Sequence, residues 1–425
     1  MSQTGVGPVS VLMVAIGGYG AHYLSTLLQL AGEAVPRCRL AGVVDPMAEQ
    51  LPAWSIVKAL DVPVRGSVEE FYSAGEKADL AVISSPLHWH VPQSMVALAH
   101  GSAVLCDKPI GATIQEAEDL IRARHASQRW VMIGYQWSFS AAILALKRDV
   151  RAGLFGRPTR ASALCLWPRD FAYYDRNDWA GRLRDRGTGR WVLDSPANNA
   201  MAHYLHNLFF VLGPEMHLSA RPRSVQAELY RAYPIESCDT AVCRAVTTGG
   251  VEVLFYASHA TARSVAPRFR LEFEQAVVTW DEEQGPEIVA VDRKGRCKRY
   301  GAPDDTPQFH KLAAAIDRVA GEAERAAKGP PSGGGSIGPV VCGPEAAISQ
   351  TLCVNGIHES ATAITSLPSS LVRRESEPDR LVVAGLDDVL LRCCEKRCLP
   401  SEAGVGWAVP GRTVDLAGYH RFPRT

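Results

Sequence analysis

The sequence has no run of about 18 apolar residues, the length a helix needs to cross a bilayer, so no membrane span is expected. It has no surplus of either charge: Lys plus Arg number 45 and Asp plus Glu number 45. A nucleic-acid or anionic-membrane partner is recruited by a basic excess, and neither partner is expected here. The opening Met1-Ser2-Gln3-Thr4-Gly5-Val6-Gly7-Pro8 lacks the basic start and apolar core of a signal peptide, and the expected location is the cytoplasm. The cysteines lack a pairing pattern. They are odd in number, 11, and Cys106, Cys165, Cys243 and Cys353 sit in apolar contexts, as reduced buried thiols do. Cys393, Cys394 and Cys398 cluster, but adjacent cysteines suit tetrahedral zinc poorly and no second pair is near, so no metal is expected. No internal repeat is visible. What remains is a chain of 425 residues, 47% hydrophobic and 21% charged, long enough and apolar enough for two globular domains.

The stretch around which the rest is organised is Val104 to Pro109, Val-Leu-Cys-Asp-Lys-Pro. An apolar run ends there, which places Lys108 at the carboxyl end of a buried strand, the edge at which open α/β sheets bind ligands. Pro109 restricts the backbone of Lys108, so its ammonium can be aimed at a substrate hydroxyl. Upstream, Val9 to Ile16 reads as a buried strand, Gly17-Gly18-Tyr19-Gly20 as a turn, and Tyr23, Leu24, Leu27 and Leu28 as a helix. Strand, glycine turn and helix form the setting of a dinucleotide site, with Ala15 standing where the first glycine of G-x-G-x-x-G would be. Leu40 to Val44 is a second strand ending at Asp45, an acid placed to accept adenosine ribose hydroxyls. No arginine flanks Asp45 to hold a 2′-phosphate, which favours NAD over NADP. Its distance from Gly17 exceeds the usual ~20 residues, which implies a longer first crossover. Asp79 to Ser84, Ala103 to Cys106 and Val131 to Gly134 give further strands, separated by helical patterns at Val91 to His100 and Gly111 to Ser127. The alternation predicts a doubly wound parallel sheet.

These stretches together resemble the N-terminal half of the Gfo/Idh/MocA family of nicotinamide-dependent oxidoreductases. The carriers are the glycine turn, Asp45, Ser85-Pro86 with His90 beyond it, and Gly134-Tyr135-Gln136-Trp137. Cys106-Asp107-Lys108-Pro109 is similar to the family's Glu-Lys-Pro signature, with aspartate for glutamate. The resemblance implies an α/β fold, with a Rossmann-type domain over 8–135 and an α+β domain with an open, mainly antiparallel sheet over 136–365; residues 366–425 have no counterpart in it and read as a C-terminal extension of unclear role. It implies NAD held by Gly17, Gly18, Tyr19, Gly20, Asp45, Ser85, Pro86, His90, Asp107 and Lys108, and a homo-oligomer formed through the C-terminal sheet. It further implies that the helix from Glu345 to Ala363 packs back on the first domain.

In the second half, Arg160 to Trp167 reads as a strand. Arg169-Asp170-Phe171-Ala172-Tyr173-Tyr174-Asp175-Arg176-Asn177-Asp178-Trp179 reads as a loop of rings and hydrogen-bonding groups, the two things a sugar site needs. Trp137, Arg169, Tyr173, Tyr174, Arg176, Asn177 and Trp179 are the candidate substrate contacts. Asn198 to Leu212 reads as a helix stopped by Gly213, with Asn199, His203 and His206 at i, i+4 and i+7 on one face. By resemblance His203 falls at the family's histidine and Asn199 at its acid. Asp194 can supply the acid if the chain folds back. Alternating segments from Val225 to Asp292 predict an antiparallel sheet, Thr306 to Ala327 a helix, and Lys328 to Gly338 a flexible loop.

The expected activity is oxidation of a secondary alcohol on a sugar, sugar derivative or cyclic polyol, with His203 as base, Lys108 on the developing alkoxide, and Asn199 or Asp194 orienting His203. The alternatives are NAD-dependent glycoside cleavage on the same fold, and a non-catalytic sugar or dinucleotide sensor, which Ala15 and Asn199 favour.

Overall fold

The computed structural model describes residues 7–327 and 338–424, so the expected loop after Lys328 lies, up to residue 337, outside the described residues. The chain divides into two compact units. The first runs to Gly111 and includes Glu116–Phe139 and Pro307–Pro344; the second comprises Ala112–Gln115, Ser140–Thr306 and Glu345–Thr425.

The first unit is built on strands β1 (Val9–Val14), β2 (Cys38–Val44), β3 (Val64–Arg65), β4 (Leu80–Ile83), β5 (Ala103–Cys106) and β6 (Val131–Ile133), in the order β3-β2-β1-β4-β5-β6. All neighbouring pairs are parallel. Every residue of β1, β4, β5 and β6 is buried, because helices cover both faces of a parallel sheet and leave no solvated side. The strand order reverses between β1 and β4. That reversal opens a crevice at the carboxyl edge, where the glycine turn, Asp45, Ser85 and Lys108 follow β1, β2, β4 and β5. The helix His310–Ala327 belongs to this unit and buries Leu312, Ala315 and Ile316.

The second unit carries β7 (Pro158–Leu166), β8 (Pro222–Arg231), β9 (Thr240–Thr247), β10 (Glu252–Ser258), β11 (Val265–Phe273), β12 (Ala276–Asp281), β13 (Gly285–Asp292), β14 (Cys297–Arg299) and β15 (Thr365–Ser366). Their order is β14-β13-β12-β11-β7-β10-β9-β8-β15. The pairs β7/β10 and β8/β15 are parallel and the others antiparallel. Buried residues alternate with partly buried or exposed ones along β11 and β12, as strands with one covered face require, whereas the last six residues of β7 are all buried.

The C-terminal segment explains that difference. A hairpin, β16 (Val372–Ser376) with β17 (Asp379–Val383), leads to the helix Leu386–Lys396, and β18 (Val414–Asp415) pairs with β8. Leu386, Leu390, Cys393 and Leu399 share one core with Leu164, Leu166, Val242, Leu254 and Tyr256. The Tyr256 hydroxyl lies 3.2 Å from the carbonyl oxygen of Cys393 and 3.1 Å from that of Cys398. Residues of the C-terminal extension, whose role the sequence leaves open, join the second unit's core. The grouping at 307–344 also departs from the expected 136–365 domain, since His310–Ala327 clusters with the first unit and Pro344–Ser360 with the second. Two local readings change as well. Phe171–Asp175 is a short helix rather than loop, because the Asp170 carboxylate accepts the Tyr173 N–H at 2.8 Å and caps it. The helix expected from Asn198 begins at Ala202, after a series of turns.

Candidate active site

The glycine turn is shaped by contacts that no side chain would permit. A Cβ on Gly20 would lie 2.2 Å from the Ala15 carbonyl oxygen, so the helix Tyr19–Ala31 rides against the end of β1. Gly18 has φ 52° and ψ −121°, a backbone region left to glycine, and a Cβ there would face open space. Ala15, which replaces the motif's first glycine, nevertheless holds φ at 64°. Asp45 ties this turn to β2: its Oδ2 accepts the Ile16 N–H at 3.0 Å and its Oδ1 the Met47 N–H at 2.9 Å. A glycine cradle open at Gly18, a helix N-terminus, and an anchored carboxylate with spare lone pairs fit a dinucleotide, whose pyrophosphate and ribose require those groups.

Around Lys108 the structure builds a buried support. Asp107 Oδ1 accepts from Tyr23 Oη at 3.0 Å and from Lys311 Nζ at 3.0 Å. Lys311 is 1% exposed; its ammonium also donates to the Gly134 carbonyl at 2.9 Å and lies 5.2 and 5.0 Å from the ring centres of Tyr19 and Tyr23. Burial would raise the Asp107 carboxyl, but the charges of Lys311, Lys108 and His90 outweigh it and hold the group below the usual carboxylate range. Burial in turn pulls the Lys311 ammonium below its ordinary value, against the attraction of Asp107. We take the pair as ionised at neutral pH, since geometry gives each charge a direct partner. Gly134 leaves the room this requires: a Cβ there would sit 2.8 Å from Asp107 Oδ1.

His90 is 3% exposed and braces the other side of the motif. Its Nδ1 lies 2.7 Å from the Pro109 carbonyl oxygen and its Nε2 2.9 Å from that of Ser85. Both ring nitrogens are thereby committed to backbone, and the ring joins the Ser85-Pro86 turn to the residue after Lys108. The Ser85 hydroxyl donates to Gln93 Oε1 at 2.6 Å. The Tyr19 hydroxyl accepts from Gln308 Nε2 at 2.8 Å. Trp137, expected in the substrate domain, lies in the first unit and is 4% exposed.

In the second unit, Asp194 and Asn199 come together. The Asn199 side-chain amide donates to Asp194 Oδ1 at 2.8 Å, and the Gly181 N–H donates to Asp194 Oδ2 at 2.6 Å. Asn199 precedes the helix, so it does not share a helical face with His203, which stands half-buried in the first turn of Ala202–Val211. His206 is buried and stacks on Phe210; burial first, then the Lys147 charge, pushes its imidazole down to about 3. It stays neutral and is a packing residue. Asn177 Oδ1 accepts the Trp179 and Ala180 N–H groups, at 3.2 and 2.8 Å, and shapes its own turn. Arg169 and Arg176 lie over the Tyr173 ring, and Tyr173 and Tyr174 meet His259, which no sequence motif marks. Neither Lys311 nor His259 lies in a motif. Only distant partners give each its meaning.

Residues 9–135 match the model of the Gfo/Idh/MocA oxidoreductase family, described as an NAD-binding Rossmann fold. Among curated proteins, the chain is 24% identical over 201 residues to a 2,7-anhydro-N-acetylneuraminate hydratase from Mediterraneibacter gnavus, covering 47% of each. It is 30% identical over 118 residues to a glycosyl hydrolase family 109 protein from Shewanella amazonensis, covering 28% of this chain and 24% of that one. It is 29% identical over 146 residues to the rhizopine catabolism protein MocA from Rhizobium meliloti, covering 33% of this chain and 43% of that one. These matches span about half of the relatives' length or less. Among solved structures, the WlbA dehydrogenase from Bordetella pertussis, in complex with NADH and UDP-GlcNAcA, is similar at a TM-score of 0.64 and 18% identity, covering 85% of this chain and 99% of that one. UDP-N-acetylglucosamine 3-dehydrogenase GnnA from Acidithiobacillus ferrooxidans is similar at 0.62 and 18%, covering 83% and 97%. At such identities the likeness is one of fold. Over residues 9–135, then, the chain is similar to the Gfo/Idh/MocA oxidoreductases, a family described as an NAD-binding Rossmann fold.

Proposed function

We propose that this protein moves a hydride between NAD and a secondary alcohol of a sugar, sugar derivative or cyclic polyol. The observation that carries the reading is the buried clamp of Lys311, Tyr23 and Asp107 beneath Lys108, at the same sheet edge as the open glycine cradle. A family of this description supplies the cofactor, and bound NAD supplies the hydride acceptor. The chain's own groups manage the proton and the charge. Lys108 would hydrogen-bond the reacting oxygen and stabilise its alkoxide character. His203 would take the hydroxyl proton, since an imidazole titrates near neutrality. Asn199, fixed by Asp194, would orient that base. Gly17, Gly18 and Gly20 would admit the pyrophosphate, and Asp45 would accept from the ribose.

The test is NADH formation from a panel of sugars, inositols and glycosides, with Lys108→Ala beside the parent. The variant should still quench with NADH while losing turnover by roughly a hundredfold or more. Turnover at the parent rate would remove Lys108 from the reaction. A second reading, glycoside cleavage without net NADH production, is favoured by the likeness to the Shewanella glycosyl hydrolase family 109 protein. Release of free sugar from a glycoside with NAD bound but none consumed would select it. Subunit pairing through the second unit's sheet belongs to this proposal too. Strands β11 to β13, with Leu391, Cys394, Glu395 and Arg397 of the C-terminal segment, line a cavity of about 670 Å³.

A further inference from the structure

We propose that the substrate carries an oxyanion, a carboxylate or a phosphate, and that Arg169 and Arg176 hold it. The inference rests on the oxidoreductase reading and narrows its substrate class.

Two guanidinium groups lie against one ring: Arg169 Cζ is 4.8 Å and Arg176 Cζ 3.8 Å from the centre of Tyr173. Trp167 and Trp179 extend the stack, at 5.7 Å from Arg169 and 5.3 Å from Arg176. Elsewhere in this unit, other arginines meet acids. Arg244 pairs with Glu252 and Glu402, and Arg397 with Glu272. Among the described residues no carboxylate lies within ion-pair distance of Arg169 or Arg176, and Arg169 Nε is buried with no hydrogen-bond partner. Two acids of this region are committed. Asp170 accepts the Tyr173 N–H, and Asp194 accepts from Gly181 and Asn199.

His259 adds a third donor. It is 2% exposed, its ring centre lies 5.2 Å from that of Tyr173, and its Nε2 has no partner. Burial, then the charges of Arg169 and Arg176, hold its imidazole well below the ordinary value, so the ring is neutral. Its Nδ1 lies 3.3 Å from the Tyr174 hydroxyl, which burial keeps protonated. With Tyr174 donating to Nδ1, the remaining proton sits on Nε2. Arg176 spends one donor on the Tyr173 carbonyl oxygen and meets no acid, while Arg169 Nε and the His259 Nε2–H are buried donors without an acceptor. Buried donors are otherwise matched in folded proteins. A planar, delocalised cation with a fork of donors is suited to a carboxylate or phosphate, and the aromatic surfaces that flatten it also suit a sugar face.

The experiment uses the full chain with bound NADH and titrates D-glucuronate, D-glucose 6-phosphate and D-glucose by calorimetry. At least one anionic sugar should bind about tenfold or more tightly than D-glucose. Which of the two prevails distinguishes carboxylate from phosphate. Arg169→Gln and Arg176→Gln should each remove that preference, Arg169→Lys should restore part of it, and NADH affinity and the thermal midpoint should stay at parent values. Equal binding of the three sugars, binding of none, or a preference that survives both glutamine variants overturns the proposal. NADH production is scored separately: a neutral sugar oxidised without anionic preference leaves the oxidoreductase reading standing while this one falls.

Discussion

Replacing Lys311 with methionine removes one charge from the interior and keeps the stem that packs there. Asp107, 8% exposed, would then face that interior with the Tyr23 hydroxyl and the more distant charges of Lys108 and His90. Breaking a buried pair from one side costs about 3–5 kcal/mol. Against a whole-domain stability of about 5–15 kcal/mol, that is a large fraction. The pH dependence identifies the cause. In the parent the folded Asp107 carboxyl lies below its unfolded value, so its contribution is present at neutral pH and is lost only as the pH falls through the folded value. In Lys311→Met burial loses its strongest opponent and the carboxyl rises above its unfolded value. Stability is then fully present at pH below the unfolded value and is lost as the pH climbs through the raised one. Urea unfolding at pH 8, 6.5 and 5 should show a parent-to-variant gap that narrows toward pH 5. Lys311→Met with Asp107→Asn should recover much of the loss at pH 8, because no uncompensated charge remains. A gap under about 1 kcal/mol, or one indifferent to pH, would refute the buried pair as the support of Lys108.

Other expectations are quicker to check. Gly20→Ala should abolish NADH binding and lower the thermal midpoint, since the added Cβ would meet the Ala15 carbonyl oxygen at 2.2 Å and backbone cannot yield that far. Ala15→Gly should instead raise stability by up to about 1 kcal/mol, because it relaxes a residue held at φ 64°. For pH, His206, at about 3, does not titrate in the working range, so His206→Gln should leave the pH profile of kcat/KM unchanged, whereas His203→Gln should remove the acid limb. If both variants shift the profile alike, the assignment of the base to His203 fails.

The sheet of the first unit was legible because its strands announce themselves locally. The runs Val9–Val14, Leu80–Ile83 and Ala103–Cys106 are wholly buried, and a strand buried on both faces must be written as an apolar run. The glycine turn was legible for a similar reason, since Gly18 and Gly20 answer steric demands set within a few residues. The order of motifs along the chain then pointed to an NAD-binding Rossmann domain. Boundaries were less clear where caps and turns compete, which is why Phe171–Asp175 and the start of Ala202–Val211 were misread.

By itself, the sequence determined the elements whose burial is written in consecutive residues: the parallel sheet, its glycine turn, and the lysine that ends β5. Tertiary structure alone decided what surrounds that lysine and the substrate loop. Lys311 reaches Asp107 across 204 positions, and His259 reaches Tyr174 across 85. Neither leaves a periodic trace, because a buried charge or imidazole is specified by the partner it meets after folding and not by its neighbours in the chain. The C-terminal residues 366–425 obeyed the same rule: their apolar positions became readable once the sheet face they cover was in place.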